Sequence, residues 1–218
     1  MTTSLTGFRA LASKKTLTPL ALAIALAAVT ASKADAQIFV SSFDGNTIGE
    51  YGLDGSTINS NFITTGLNGP QDLLLVGNDL VVANQDGGSI GVYDATTGAT
   101  INSALVTGLT DPDPVILGVE GDNILVGNES GPNGSTIGEF NLQTGVGNPN
   151  FISLGEFNGS IQGLALSGND LFALDSINGR INEYNATSGA EIKNNFITGI
   201  SDPTSLTLVG QRSVRCHR

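Results

Sequence analysis

Four oxygen-bearing side chains recur at one place in a repeating pattern: Ser42, Asn84, Asn128 and Asp175. Each closes a short run of apolar and small residues, and the intervals between them are 42, 44 and 47 residues. Hydroxyl, amide and carboxylate oxygens brought together around one axis would suit a hard divalent cation, calcium above all. The local alternative, which the sequence favours, is that each residue caps the hairpin that follows it with an Asx-type turn. The same choice applies to Asp44, Asp86, Asp111 and Asp113, and the Asp111-Pro112-Asp113-Pro114 segment reads as a rigid acidic loop echoed by Asp202-Pro203.

Nucleophilic and histidine chemistry have little to work with. His217 is the only histidine and Cys216 the only cysteine, and both lie in the last three residues. A lone cysteine forms no internal disulfide, so stability must come from apolar cores. No serine sits in a nucleophile-elbow context with an acid and a histidine. The expected catalytic set is therefore empty. No cofactor is required, and calcium is the one ligand that Ser42, Asn84, Asn128 and Asp175 would admit.

The elements that must position these residues come from a fourfold repeat. First strands open at Ile38, Leu80, Ile124 and Leu171. In the second copy, Leu80–Ala83 is a β-favouring apolar run followed by the turn residues Asn84–Gly88. Ser89–Tyr93 then alternates as a half-buried strand does. A third strand follows near Leu105–Thr107 and a fourth at Val115–Val119. The other copies keep the order. Tyr51, Tyr93, Phe140 and Tyr184 are equivalent, and Ile48, Ile90, Ile137 and Ile181 precede them by three. These positions, with Phe62, Phe151 and Phe196, are the expected inter-sheet core.

A period near 44 residues, built from short apolar runs and Gly/Asn/Asp turns, predicts an all-β fold: a β-propeller of four visible four-stranded blades. The blades are expected at about 37–78, 79–122, 123–169 and 170–211, as an incomplete ring or a tight four-bladed closure. A stacked β-solenoid or a large sandwich are the alternatives, and the period disfavours the solenoid. No Trp is present, so the blades lack a Trp-Asp signature.

Residues 1–36 stand apart. Arg9, Lys14 and Lys15, an apolar stretch from Leu17 to Val29 and the small-x-small site Ala34-Asp35-Ala36 have the layout of a secretory signal. The apolar stretch is shorter than the ~20 residues a spanning helix needs, so a cleaved signal is expected over a retained anchor, with no membrane span afterwards. The location implied is secreted or extracytoplasmic.

Without that segment the net charge is −14, and between Gln37 and Gln211 only Arg180 and Lys193 are basic. Such a surface repels nucleic acid and anionic lipid. Residues 212–218 form an atypical basic tail carrying Arg212, Arg215 and Arg218. The sharp change after Gly210 reads as truncation of the repeats, with a genuine basic tail as the alternative. The triplets at Asn128, Asn133, Asn158 and Asn185 fit the Asn-x-Ser/Thr pattern but read as turn chemistry.

The stretches Val92–Ala99 and Tyr184–Gly199 carry a resemblance to exported bacterial propellers of the NHL and gluconolactonase or virginiamycin B lyase type. The resemblance extends over Gln37–Gly210. It implies a propeller fold. In gluconolactonase-like members it implies a divalent cation held in the central channel by Glu, Asn and Asp, for which Ser42, Asn84, Asn128 and Asp175 are the matching positions. In lyase-like members it implies a histidine base, which no repeat here supplies. Many such proteins end in a PEP-CTERM sorting tail, and this sequence has no Pro-Glu-Pro motif followed by an apolar helix.

Two functions follow as expectations. The first is an exported, non-catalytic, monomeric binding or surface-interaction module for an unidentified protein or carbohydrate ligand. The second is a metal-dependent lactonase- or lyase-like enzyme.

Overall fold

The computed structural model describes residues 36–109, 116–120, 122–131, 134–154 and 160–209, with the side chains at 116–120 and 129–131 left aside. The expectations about residues 1–35, Asp111–Pro114, Asn133, Asn158 and the tail lie outside the described residues.

Every regular element among the described residues is a strand, and the strands form four antiparallel sheets. Sheet 1 holds β1 (Gln37–Ser42), β2 (Thr47–Gly52) and β3 (Thr57–Ile63). Sheet 2 holds β4 (Pro70–Val76), β5 (Asp79–Asn84), β6 (Ser89–Asp94) and β7 (Thr100–Thr107). Sheet 3 holds β8 (Ile116–Glu120), β9 (Asn123–Gly131), β10 (Gly134–Asn141) and β11 (Gly147–Ser153). Sheet 4 holds β12 (Ile161–Ser167), β13 (Asp170–Asp175), β14 (Arg180–Asn185) and β15 (Glu191–Thr198). Each sheet is a meander in chain order.

The expected blade boundaries are displaced by one strand. The run expected to close one repeat, such as Gln71–Val76, pairs with the first strand of the next: Leu74 faces Val81 and Leu75 faces Leu80. Leu164–Ala173 and Leu166–Leu171 pair in the same way in sheet 4. Tight two-residue connections at Gly77-Asn78 and Gly168-Asn169, both with a positive-φ glycine, make this pairing local and therefore cheap in chain entropy. Sheet 1 accordingly has three strands, not the four expected.

The edge strands β4, β8 and β12 pack against one another and form the inner rim of the arc. Among the described residues the sheets do not close into a ring. Side chains alternate across each sheet, so paired strands send one set of residues to the preceding sheet and the other to the following one. Ile48 and Ile63 of sheet 1 meet Leu80, Val82 and Tyr93 of sheet 2. Val81, Ala83, Ile90 and Val106 of sheet 2 meet Ile124, Val126 and Phe140 of sheet 3. Leu125, Ile137 and Ile152 of sheet 3 meet Leu171, Ala173 and Tyr184 of sheet 4. Full burial of one such side chain is worth about 1.5–3 kcal/mol. Of the expected Ile and aromatic positions, Ile48, Ile90, Ile137, Ile181, Tyr93, Phe140 and Tyr184 are buried. Phe62 and Phe151 pack against the cores, whereas Phe196 is exposed and Tyr51 half-buried.

Turns complete the junctions. Asp94 accepts from the Thr96 and Thr97 N–H groups and the Thr97 hydroxyl, and Asn141 and Asn185 repeat this cap at their own turns. The Thr97 hydroxyl holds the Asp94 carboxyl below the usual carboxylate range. Each of these turns ends in a positive-φ glycine: Gly98, Gly145 and Gly189. A Cβ there would meet the carbonyl of Phe62, Leu105 or Phe151 on the outer strand of the preceding sheet. Tyr93 adds a cross-sheet bond, donating its hydroxyl to the Gly66 carbonyl at 2.7 Å, and its burial pushes the phenol up to about 12.

Two outcomes follow. Gly145→Ala should cost about 1–3 kcal/mol more in urea unfolding than Gly55→Ala. Both glycines have positive φ, but only Gly145 abuts a neighbouring sheet. A phenol whose folded pKa is raised adds stability below its unfolded pKa and loses it as pH climbs toward the folded value. Stability should therefore fall from pH 10 toward 12, and Tyr93→Phe should flatten that fall in a pH series of denaturation midpoints.

Candidate functional site

Ser42, Asn84 and Asp175 are the last residues of β1, β5 and β13, and Asn128 holds the matching place in β9. Their partners across the hairpin are Thr47, Ser89, Arg180 and Thr136. These strands stand second from the inner rim, because β4, β8 and β12 lie inside β5, β9 and β13. Alternation puts Asn84 on the face of Leu80 and Val82, Asn128 with Ile124 and Val126, and Asp175 with Leu171 and Ala173. The side chains therefore belong to the clefts between sheets.

Three of the four are buried and Ser42 is exposed. Asn84 accepts the Asn68 N–H at 3.0 Å and so pins the crossover loop that carries the chain from sheet 1 to sheet 2. Backbone bonds from Gln85 to Gly69 and from Gly87 to Asn68 fasten the same loop. Asp175 accepts Arg180 Nε at 2.9 Å, Asn178 Nδ2 at 2.7 Å and the Asn178 N–H at 3.1 Å. A guanidinium already in contact opposes a divalent cation on that carboxylate. Asn128 Oδ1, Thr136 Oγ1 and Asn84 Nδ2 are buried without a hydrogen-bond partner among the described residues. Among those residues no group of three or more His, Cys, Asp or Glu is placed to hold a metal.

A concave site lies instead along the inner rim. One cavity, of about 290 Å³, is lined by Gln71 and Asp72 of β4, Gln162 and Gly163 of β12, and Ser205 and Leu206. A second, of about 400 Å³, is lined by Gln162, Ser176, Ile177, Asp202, Pro203 and Thr204. Gln162 borders both. Its amide donates to Ser160 Oγ at 3.0 Å, which orients it. The Gln71 carbonyl accepts the Ser41 hydroxyl at 2.9 Å, tying β4 to sheet 1.

Gln71 and Gln162 are repeat-equivalent, since each lies three residues before the residue that pairs with Val81 or Phe172. That recurrence was readable in the sequence. Asp202-Pro203-Thr204 matches Gly69-Pro70-Gln71, and Asp202 adopts the left-handed φ that Gly69 has.

No protein-family model matches the chain, and no curated protein matches it. Solved structures do. The extracellular domain of the putative one component system BT4673 from B. thetaiotaomicron aligns with 80% of this chain and 24% of its own, at 16% identity and a TM-score of 0.57. A streptogramin B lyase aligns with 72% of this chain and 50% of its own, at 16% identity and TM-score 0.54. The computationally designed Ika8 protein aligns with 80% of this chain and 50% of its own, at 20% identity and TM-score 0.54. The fold is that of a β-propeller. At these identities the likeness concerns the fold alone, and the propeller arc here spans half or less of the length of each of these structures.

Arg180→Ala would strip Asp175 of its only salt bridge among the described residues and leave a buried carboxylate held by Asn178 alone. The expected loss is about 3 kcal/mol in chemical denaturation, with recovery in the double variant Asp175→Asn/Arg180→Ala.

Proposed function

We propose that this chain is an extracytoplasmic, non-catalytic propeller module that binds a neutral, hydroxyl-rich ligand of carbohydrate type in the inner-rim groove. The observation that carries this is the meeting of two repeat-equivalent amides, Gln71 and Gln162, with Asp72 and Ser205 around one cavity, beside a second that Gln162 shares with Thr204. Planar amides offer donor and acceptor together and suit sugar hydroxyls, as does a flanking carboxylate. The strongly acidic body disfavours anionic ligands. Absence of a helix long and apolar enough to cross a membrane among the described residues fits this placement, as does the likeness to an extracellular domain.

The metal-dependent lactonase or lyase reading draws on the streptogramin B lyase likeness and on the repeated Ser42, Asn84, Asn128 and Asp175. It is the weaker of the two, because Asp175 is engaged by Arg180 and Asn84 by a crossover loop.

The two part in one pair of measurements. A neutral glycan array followed by calorimetry should find a saturable ligand whose affinity drops at least tenfold in Gln162→Ala with the fold intact. Millimolar calcium should leave the thermal midpoint unchanged, because a cation that does not bind the native state adds no linkage stabilisation. A calcium-raised midpoint together with no glycan binding would reverse the assignment.

A further inference from the structure

The outer strands of the four sheets share one irregularity. In sheet 1, Ile48 pairs with Ile63 and Glu50 with Asn59, so residues 60–62 of β3 stand opposite Gly49 alone. In sheet 2, residues 103–105 of β7 stand opposite Gly91. In sheet 3, residues 149–151 of β11 stand opposite Gly138, and in sheet 4 residues 194–196 of β15 stand opposite Asn182. Each outer strand thus bulges at the same repeat position.

One asparagine amide caps each bulge. The middle residue of the three donates its N–H to an Oδ1: Asn61 to Asn59 at 3.0 Å, Ala104 to Asn102 at 3.1 Å, Asn150 to Asn148 at 3.0 Å, and Asn195 to Asn182 at 2.8 Å. In sheets 1–3 the acceptor sits on the outer strand and the residue opposite the bulge is glycine. The ring two residues further on lies over that glycine: Tyr51, Tyr93 and Phe140 come within 2.7, 2.9 and 2.5 Å of the place a Cβ would take at Gly49, Gly91 and Gly138. In sheet 4, Lys193 holds the place of Asn59, Asn102 and Asn148, and an ammonium accepts no hydrogen bond. There the glycine is replaced by Asn182, 3% exposed, whose Oδ1 reaches the middle N–H from the inner strand. Asn195 takes a left-handed φ of 54°, which asparagine tolerates. Acceptor and glycine have changed together, and the capped N–H is what the four sheets keep in common.

The strands so interrupted would otherwise invite a neighbour. Among the described residues β3, β7, β11 and β15 each pair on one side alone. Ile58, Ile101 and Ile192 are 51%, 55% and 50% exposed on three of them. β-favouring apolar residues on a free edge recruit a further strand. Pro149, inside the bulge of β11, has no N–H to offer at all.

We propose that the amide-capped bulge closes the outer edge of each sheet to strand addition by a second copy of this chain, and that Asn182 does from the inner strand what Asn59, Asn102 and Asn148 do from the outer one. Uncapped, the middle N–H is a free donor on an exposed strand. Capped, it is withdrawn, and the bulge bends the strand away from the line a partner must follow.

A double-mutant cycle on the full chain tests the cap. Asn182→Gly should lower the urea midpoint, and adding Lys193→Asn should recover more than half of that fall, while Lys193→Asn alone changes little. Equal effects of Lys193→Asn in both backgrounds would overturn the exchange of roles. Should Asn182→Gly unfold, amide exchange in the unchanged chain decides: Asn61, Ala104, Asn150 and Asn195 should exchange about tenfold or more slowly than free peptide, and unprotected amides contradict the caps. The edge is tested with Asn59→Ala/Asn102→Ala/Asn148→Ala against Val81→Ala, which empties part of the core between sheets 2 and 3 and leaves every cap in place. With urea adjusted to equal folded fractions, the triple variant should form thioflavin-binding aggregates several-fold faster; should it unfold, Asn102→Ala alone is compared in its place. Equal rates would overturn edge closure and leave the bulge as a seat for the next sheet's turn, where Phe62, Leu105 and Phe151 meet Gly98, Gly145 and Gly189.

Discussion

The structure depends on one constraint: a twisted sheet with two apolar faces must find an apolar face for each. In sheets 2 and 3 the two middle strands, β5 and β6 or β9 and β10, contribute to both sides. Val81 and Ala83 look to sheet 3, while Leu80 and Val82 look to sheet 1. No sheet owns a core. The cores lie between sheets, and each is shared by residues about one repeat apart in sequence. This is the physics of repeat architectures, in which stability is a sum of nearest-neighbour junctions. It explains why glycine is required where a turn of one sheet abuts the outer strand of the last, as Gly145 does at Leu105.

The polar residues are subordinate to that packing. Asn84 and Asp175 sit at the ends of strands that are buried on both faces, and their side chains enter the clefts. There they hold the crossover loop and the hairpin in place, through Asn68 in one sheet and through Asn178 and Arg180 in the other. Asp94, Asn141 and Asn185 serve the solvent-side turns by the same local chemistry. Asp175 so engaged has little left to offer a ligand, whereas Asn84 keeps an unpartnered Nδ2 among the described residues. The inner rim is different. There the strand alternation is interrupted by a register shift between Ile161 and Gly163 and between Pro70 and Leu73. The two repeat-equivalent glutamines lie within those irregular stretches.

Much of this was legible in the sequence. The period, the strand count within each copy and the buried Ile90, Ile137, Tyr93 and Phe140 all follow from alternation and turn residues. The phase was not legible. A periodic sequence specifies how far apart equivalent strands lie, but not which four consecutive strands share a sheet. That is decided by connection length: two residues join β4 to β5, whereas six separate β3 from β4. Reading that difference would have assigned Gln71–Val76 to sheet 2 and drawn attention to Gln71 and Gln162 as rim residues. The exposure of Phe196 and Ile197 was hidden for another reason. Burial at a repeat position depends on whether a neighbour exists, and the residue type is the same either way.

The central claim is that stability resides between the sheets and spreads along the arc. Native-state hydrogen exchange on an Ile137→Ala variant tests it most directly, since Ile137 belongs to sheet 3 but packs in the core shared with sheet 4. The account predicts that protection falls together in β9, β10, β13 and β14, while β2 and β5 keep more of theirs. Loss confined to β9 and β10, with β13 and β14 untouched, would mean that each sheet is stable by itself and would contradict it.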